Sequence, residues 1–295
     1  MSVQEEGEKR WEEMSNDNNN GGAGHPIDWA ATAWTHLSTL RQRAPLIQCI
    51  TNFVSMDLMA NTLLAAGASP AMIHSLEEIP DFTPCTDALC INIGTLTPSW
   101  LPAMKAAAEA ANRSQRPWVL DPVAIGASGF RMRACLDLLG LRPTVIRGNA
   151  SEIIALSGYS IGPTKGADSV HKSTDAVEAA QSLARASGSI IAVSGAVDII
   201  TDGKRVVGAG NGVPLMQKIT ATGCSVTALV AAFVAVDPEH AFEATASALS
   251  IFGVSGEIGM DVAKGPASLR TNLIDTLHGL DQETVLKRVN IYNFP

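Results

Sequence analysis

Aromatic side chains are scarce in this sequence, at 5% of 295 residues, and charged ones reach only 17%. With few large rings and abundant Ala and Gly, a β-sandwich core is disfavoured. Close packing of helices on a sheet suits such a composition better. Apolar residues still make up 46%, enough for a sizeable core, so most of the chain is expected to fold. There is no run of Lys or Arg, and the net charge is −8, so no nucleic-acid partner is expected. No apolar run approaches the ~20 residues of a membrane-spanning helix, so no membrane partner is expected either. The five cysteines, Cys49, Cys85, Cys90, Cys135 and Cys224, form no Cys-x-x-Cys pair. An odd, scattered set reads as reduced thiols. The six histidines show no metal-ligand spacing. The acidic amino-terminal stretch lacks the basic and apolar regions of a signal peptide and is too acidic for a transit peptide. A soluble cytoplasmic protein is expected, and the Asn-x-Ser sequons at Asn112 and Asn149 are then chance matches.

What is present is uneven along the chain. Residues 1–27 carry a net −4, half of the whole charge, and end in Asn18-Asn19-Asn20-Gly21-Gly22. This composition predicts a disordered polar tail, followed by one domain over 28–295. Asp28 is placed to cap a helix running to about Gln42, stopped by Ala44-Pro45. Short apolar strands then alternate with helices: strands over 46–50, 70–74, 88–93, 118–121, 144–147 and 189–194. The intervening helices are expected over 56–66, 98–112, 130–139, 152–156 and 174–187, with a loop over 158–173. Val197–Thr201 and Arg205–Gly208 flank Asp202-Gly203, the usual signal of a two-residue hairpin turn. Helices over 224–236 and 241–262 follow, then an amphipathic one after Ser268. Unbroken apolar strands separated by helices imply a largely parallel sheet covered on both faces, with the hairpin at one edge.

In such sheets ligands bind at the carboxyl ends of the strands. Four segments place polar or small residues there. Ile219-Thr220-Ala221-Thr222-Gly223-Cys224 leads into a helix, where backbone N–H groups and the helix dipole suit an anion. A cysteine at that point should have a lowered pKa; the plainer alternative is a capping Thr and a buried Cys. Asp121, ending Val119-Leu120-Asp121-Pro122, suits a metal or phosphate network, or simply a strand-ending turn. Ile146-Arg147-Gly148-Asn149-Ala150-Ser151-Glu152 joins a cation for phosphate to a carboxylate for Mg²⁺, or else forms a salt-bridged loop. Gly67-Ala68-Ser69-Pro70-Ala71-Met72 follows Cys49-Ile50-Thr51-Asn52. Its Met72 would line an apolar pocket or fill the core. Gly208-Ala209-Gly210-Asn211-Gly212 is a poor dinucleotide fingerprint, because no helix opens directly after it.

These segments, with Asn92-Ile93-Gly94-Thr95-Leu96 and Lys264-Gly265-Pro266, occur in the order and spacing of the hydroxyethylthiazole kinases. The sequence resembles that family over roughly residues 37–280. The resemblance implies a ribokinase-like three-layer α/β/α fold. It also implies phosphorylation of the primary alcohol of 4-methyl-5-(2-hydroxyethyl)thiazole in thiamine salvage, with ATP as co-substrate and Mg²⁺ as cofactor. A homotrimer with interfacial active sites is implied as well. By the same resemblance Cys224 is catalytic, in a position where many relatives on this fold carry Asp. Met72, Ala221 and Asn52 bind substrate. Arg147, Ser194, Thr222 and Gly223 bind ATP, and Asp121 and Glu152 hold the metal.

The sequence departs from the family pattern at Ala221, where Gly is usual, and at Ala196, where a carboxylate is usual. The methyl of Ala221 would strain the turn if its φ is positive. The alternatives are a kinase for another vitamin-precursor alcohol, a nicotinamide-hydrate repair dehydratase of the same fold, and a non-catalytic nucleotide- or thiazole-binding protein. Cys224 in place of Asp argues against the first and the Thr-Gly-Cys turn against the second.

Overall fold

A computed structural model describes residues 27–161 and 172–294. The tail expected over 1–27 lies outside the described residues except for Ile27, as do positions 162–171 of the expected loop. The elements in chain order are α1 (Trp29–Arg43), β1 (Leu46–Ile50), α2 (Met56–Ala66), β2 (Ser69–Ala71), the single turn α3 (Ile79–Phe82), β3 (Ala88–Asn92) and α4 (Leu101–Arg113). Then come β4 (Trp118–Asp121), α5 (Gly129–Leu139), β5 (Val145–Asn149), α6 (Ala150–Ile161), α7 (Val177–Ser187) and β6 (Ile190–Ser194). The chain closes with β7 (Asp198–Thr201), β8 (Val206–Ala209), α8 (Thr222–Val236), α9 (Ala241–Asp261), α10 (Pro266–Gly279), α11 (Gln282–Arg288) and β9 (Ile291–Asn293). Asp28 caps α1 as expected, its carboxylate accepting from Ala31 N–H at 3.1 Å.

One sheet runs in the order β2-β1-β3-β4-β5-β6-β7-β8-β9. Pairing is parallel from β2 to β6 and antiparallel from β6 onward. Successive strand residues face opposite layers. Cys90, Val119, Val145 and Ala192 pack with α1, α2, α8 and α9 on one side. Leu89, Ile91, Leu120, Ile146 and Ile191 pack with α4, α5, α6 and α7 on the other. Burial on both faces is why these strands read as continuous apolar runs. Helix α8 is buried continuously from Ser225 to Val236. A helix that is apolar all round belongs inside the protein, and its amino terminus is thereby held at the carboxyl ends of the central strands.

Four expectations need correction. The strand expected over 70–74 runs only from Ser69 to Ala71. The hairpin register pairs Thr201 with Val206, so residues 202–205 form a four-residue loop instead of a two-residue turn. Asp202 accepts from the N–H groups of Lys204 (2.9 Å) and Arg205 (2.7 Å), and Thr201 Oγ1 accepts from Gly203 N–H at 2.9 Å. These side-chain bonds stabilise the wider loop. The hairpin is also not outermost, because β9 pairs with β8 beyond it. Finally, α6 continues through Gly158 to Ile161, into the stretch expected as a loop.

Candidate active site

The carboxyl ends of β1, β3, β4, β5 and β6 converge on the amino terminus of α8. A cavity of about 430 Å³ opens there, lined by Arg147, Ser194, Thr222 and Gly223 together with Met216 and Phe252. All four residues expected to contact ATP therefore meet in one place. Arg147 is oriented by Ser194, whose Oγ accepts from Nε at 2.8 Å and from Nη2 at 2.5 Å. Parallel pairing of β5 with β6 sets Asn149 opposite Ser194 and so fixes their spacing. Thr222 Oγ1 donates towards Met216 O (3.2 Å) and Ile219 O (3.1 Å), tying the helix start to the turn before it. The Gly-rich run, set aside as a dinucleotide signal, contributes a wall through Asn211 and Gly212. Asn211 is a structural staple there. It donates to Glu257 Oε1 and Arg288 O, and accepts from Asn290 N–H.

Behind the cavity runs a buried polar chain. Asn52 Nδ2 donates to Asn92 Oδ1 at 2.8 Å and lies 3.4 Å from Cys224 Sγ. Asn92 Nδ2 donates to Asp121 Oδ2 at 2.8 Å, and Thr227 Oγ1 donates to the same oxygen at 2.9 Å. Backbone donors fix both amide orientations: Val54 N–H points at Asn52 Oδ1 and Gly94 N–H at Asn92 Oδ1. The amino groups must then face Cys224 and Asp121. Gly94 leaves room for this, since a Cβ there would stand 2.6 Å from Asn52 Nδ2. Asn92 and Thr227 were missed from sequence as members of the site. Asn92 ends its strand in the structure, as Asp121 does, whereas the strand expected from the sequence runs to Ile93.

Cys224 corrects an expectation. It is half-buried, and its pKa is raised, first by burial and then by the nearby Asp121 charge. Hydrogen bonds from Asn52 and Asn92 and the charge of Arg147 oppose this without reversing it. At this helix start burial outweighs the influences that favour the thiolate. Asp121 is raised to about 7, chiefly by burial; Arg147 pulls it down and Glu152 pushes it up. Asp198, on the cavity wall, is raised to about 6 by burial despite accepting from Gly195 N–H.

Glu152 accepts from Ala124 N–H and from Asn149 N–H, both at 2.8 Å, while Asn149 Oδ1 accepts from Glu152 N–H at 3.0 Å. The reciprocal pair with Asn149 caps α6. No group of three or more His, Cys, Asp or Glu side chains suited to a metal occurs among the described residues. Asp121 and Glu152 are nevertheless close enough to repel, and a cation between them would relieve that repulsion. Two carboxylates fit an ion that keeps most of its water and binds phosphate, as Mg²⁺ does.

Met72 is half-buried against the same core cluster as Cys224, and Ala221 packs in a smaller cluster with Leu58, Ile219 and Leu269. Neither lines the cavity. Ala221 has φ +70°, the left-handed region, which costs a non-glycine residue about 1 kcal/mol.

The family model for the hydroxyethylthiazole kinase family matches residues 37–283. The hydroxyethylthiazole kinase of Arabidopsis thaliana is 64% identical over 264 residues, covering 90% of this chain and 96% of that protein. A solved hydroxyethylthiazole kinase protein from Pyrococcus horikoshii superposes with a TM-score of 0.84 at 38% identity, over 90% of this chain and 100% of the other. The Bacillus subtilis pyridoxal kinase, at TM-score 0.53 and 19% identity over 71% of this chain and 90% of that one, shares the fold. With the family model matching residues 37–283, and Arg147, Ser194, Thr222 and Gly223 meeting around one cavity, the chain belongs to the hydroxyethylthiazole kinase family.

Proposed function

We propose that this chain transfers the γ-phosphoryl group of ATP to the primary alcohol of 4-methyl-5-(2-hydroxyethyl)thiazole in thiamine salvage. The observation that carries the reading is the meeting of Arg147 and the α8 amino terminus at one cavity, with Cys224 beside it. Arg147 binds phosphate oxygens, held in aim by Ser194. The N–H groups at the start of α8 hold the transferring group, where the helix dipole favours negative charge. Asp121 and Glu152 would hold Mg²⁺, which would supply charge neutralisation to the phosphates. Asn52 and Met72 position the alcohol, with Ala221 bordering it. Cys224 lies at the substrate hydroxyl and, in its thiolate form, takes the hydroxyl proton and becomes the thiol as the oxygen bonds to phosphorus and the bond to ADP breaks. The small thiolate fraction suffices because a loose phosphoryl-transfer transition state asks more for positioning than for base strength.

A homotrimer with interfacial active sites belongs to the same proposal. Phe53, Val54 and Leu64 are 65%, 61% and 58% exposed, and the first two directly follow Asn52. A second copy of the chain would cover apolar surface of this kind. No helix among the described residues is long and apolar enough to cross a membrane, and the proposed compartment is the cytoplasm. The test is ADP release with the thiazole alcohol, run beside a hydroxymethylpyrimidine and an alcohol-free control, with sedimentation for the assembly. ADP formed only with the thiazole supports the reading. Release with the pyrimidine alone, or no release, overturns it.

A further inference from the structure

Strands β1 and β2 pair through Leu46–Ser69, Ile47–Pro70 and Gln48–Ala71, and there the ladder stops. The same register carried onward sets Thr51 opposite His74. An imidazole joins them in place of a backbone bond. Thr51 N–H donates to His74 Nε2 at 3.1 Å, and His74 Nδ1 lies 3.2 Å from Met72 O. A backbone N–H can only donate, so Nε2 carries the lone pair and Nδ1 carries the proton given to Met72 O. One neutral ring thus links the end of β1, one residue before Asn52, to the backbone of Met72. Beside it, Gln48 Nε2 donates to Ile73 O at 3.2 Å. Side chains therefore hold residues 72–74 to β1 where the ladder has ended. Trp100 packs against the ring in a tilted arrangement, with centroids 4.7 Å apart, and Phe53 packs on Trp100 at the same separation.

We infer that His74 is a positioning residue for the alcohol acceptor, setting the separation of the two strand ends that carry Asn52 and Met72. The inference rests on the proposed thiazole-alcohol reaction. Arg147, Ser194 and Gly223 make no hydrogen bond to His74. Loss of the ring's bonds should therefore move acceptor binding and leave ATP binding alone. General loosening of the fold would move both.

The experiment compares His74→Phe, His74→Asn and His74→Gln. Phe keeps an aromatic face for Trp100 and removes both hydrogen bonds. Asn keeps a donor for Met72 O and is too short for Thr51. Gln can offer an acceptor to Thr51 N–H. Two measurements are made: steady-state KM for each substrate, and calorimetric binding of the thiazole alcohol without nucleotide. The expected result is a rise of about tenfold in alcohol KM and Kd for Phe, the size expected from losing one or two hydrogen bonds. KM for ATP should stay within about twofold, with a smaller alcohol effect for Gln. Should Phe fail to fold, the Asn and Gln pair carries the same comparison. Alcohol and ATP constants rising together, or variants that match wild type, overturn the inference while the kinase reading stands. A wild-type protein that neither binds nor phosphorylates the alcohol overturns both.

Discussion

The guanidinium of Arg147 occupies the space that a side chain on Gly223 would need: a Cβ built there would lie 2.8 Å from Nη1. The bare Gly223 therefore lets the cation lie against the start of α8, where a phosphate oxygen can meet both. Gly223→Ala should displace the guanidinium. KM for ATP should rise about tenfold, the cost of one charge-assisted bond, with the alcohol KM little changed. Stability should hold or improve, because Ala is favoured over Gly in a helix by up to ~1 kcal/mol. Steady-state kinetics and a thermal melt check both halves. An unchanged ATP requirement would separate Arg147 from phosphate binding.

Glu152 has two tasks on one side chain. Its carboxylate caps α6 through Asn149 N–H and holds the Ala124 backbone, and it faces the buried Asp121 charge. Glu152→Gln keeps one acceptor oxygen and loses the charge. The cap should weaken by about 1 kcal/mol, while turnover falls steeply and alcohol binding persists. Turnover is to be followed against Mg²⁺ concentration. Normal activity at low Mg²⁺ would leave Glu152 as a cap only.

The strand-end motifs were legible because their local causes are local: an apolar run, then Asp121-Pro122 or Arg147-Gly148-Asn149. Patterns of that kind also fixed the parallel sheet and the two helical layers. What depends on distant neighbours was not legible. Strand β9 is three residues long and exists because β8 offers it an edge. The Cys224 shift comes first from burial and then from Asp121, more than a hundred residues away. Asn92 falls inside the strand expected over 88–93, and only the fold sets it between Asn52 and Asp121. His74 gave no periodic or motif signal at all.

Asp237 stands between two histidines, accepting from His240 Nδ1 at 2.9 Å with Oδ1 and lying 3.1 Å from His36 Nε2 with Oδ2. Burial alone would raise its pKa, but the bonds from His36 and His240 outweigh that and hold it below the usual range. His240 is held above its usual value; burial opposes the shift, and Asp237, Glu243 and Glu239 produce it. The stabilisation from Asp237 is present above the ordinary carboxylate pKa of about 4 and is lost as pH falls through the lower folded value. That from His240 is full below the ordinary imidazole pKa of about 6.5 and is lost as pH rises through the higher folded value. Both are complete only between about pH 4 and 6.5. Asp237→Asn should therefore lower Tm most in that window, and less on either side of it. A loss that does not vary with pH would assign the effect to packing.

Cys224 sets the strongest test of the mechanism. Its thiol is half-buried and shifted upward, whereas Cys85 is exposed and Cys49, Cys90 and Cys135 are buried. Iodoacetamide at neutral pH should therefore modify Cys85 first and Cys224 more slowly, with ATP slowing Cys224 further because the phosphates cover the start of α8. With the thiol mostly protonated, only a small thiolate fraction can act as base, so Cys224→Ala should lower kcat by about 10²-fold, the low end for general-base catalysis. Its KM values should move little, since Asn52 and Arg147 remain. Cys224→Asp should retain more activity than the Ala variant: Asn52 and Asn92 direct amide donors at that site, and a carboxylate accepts them better than a thiol does. Repulsion from Asp121 limits the gain. Melting curves must first show both variants folded. An Ala variant as fast as wild type, with the Asp variant dead, would take Cys224 out of proton transfer and leave it a packing residue at the head of α8.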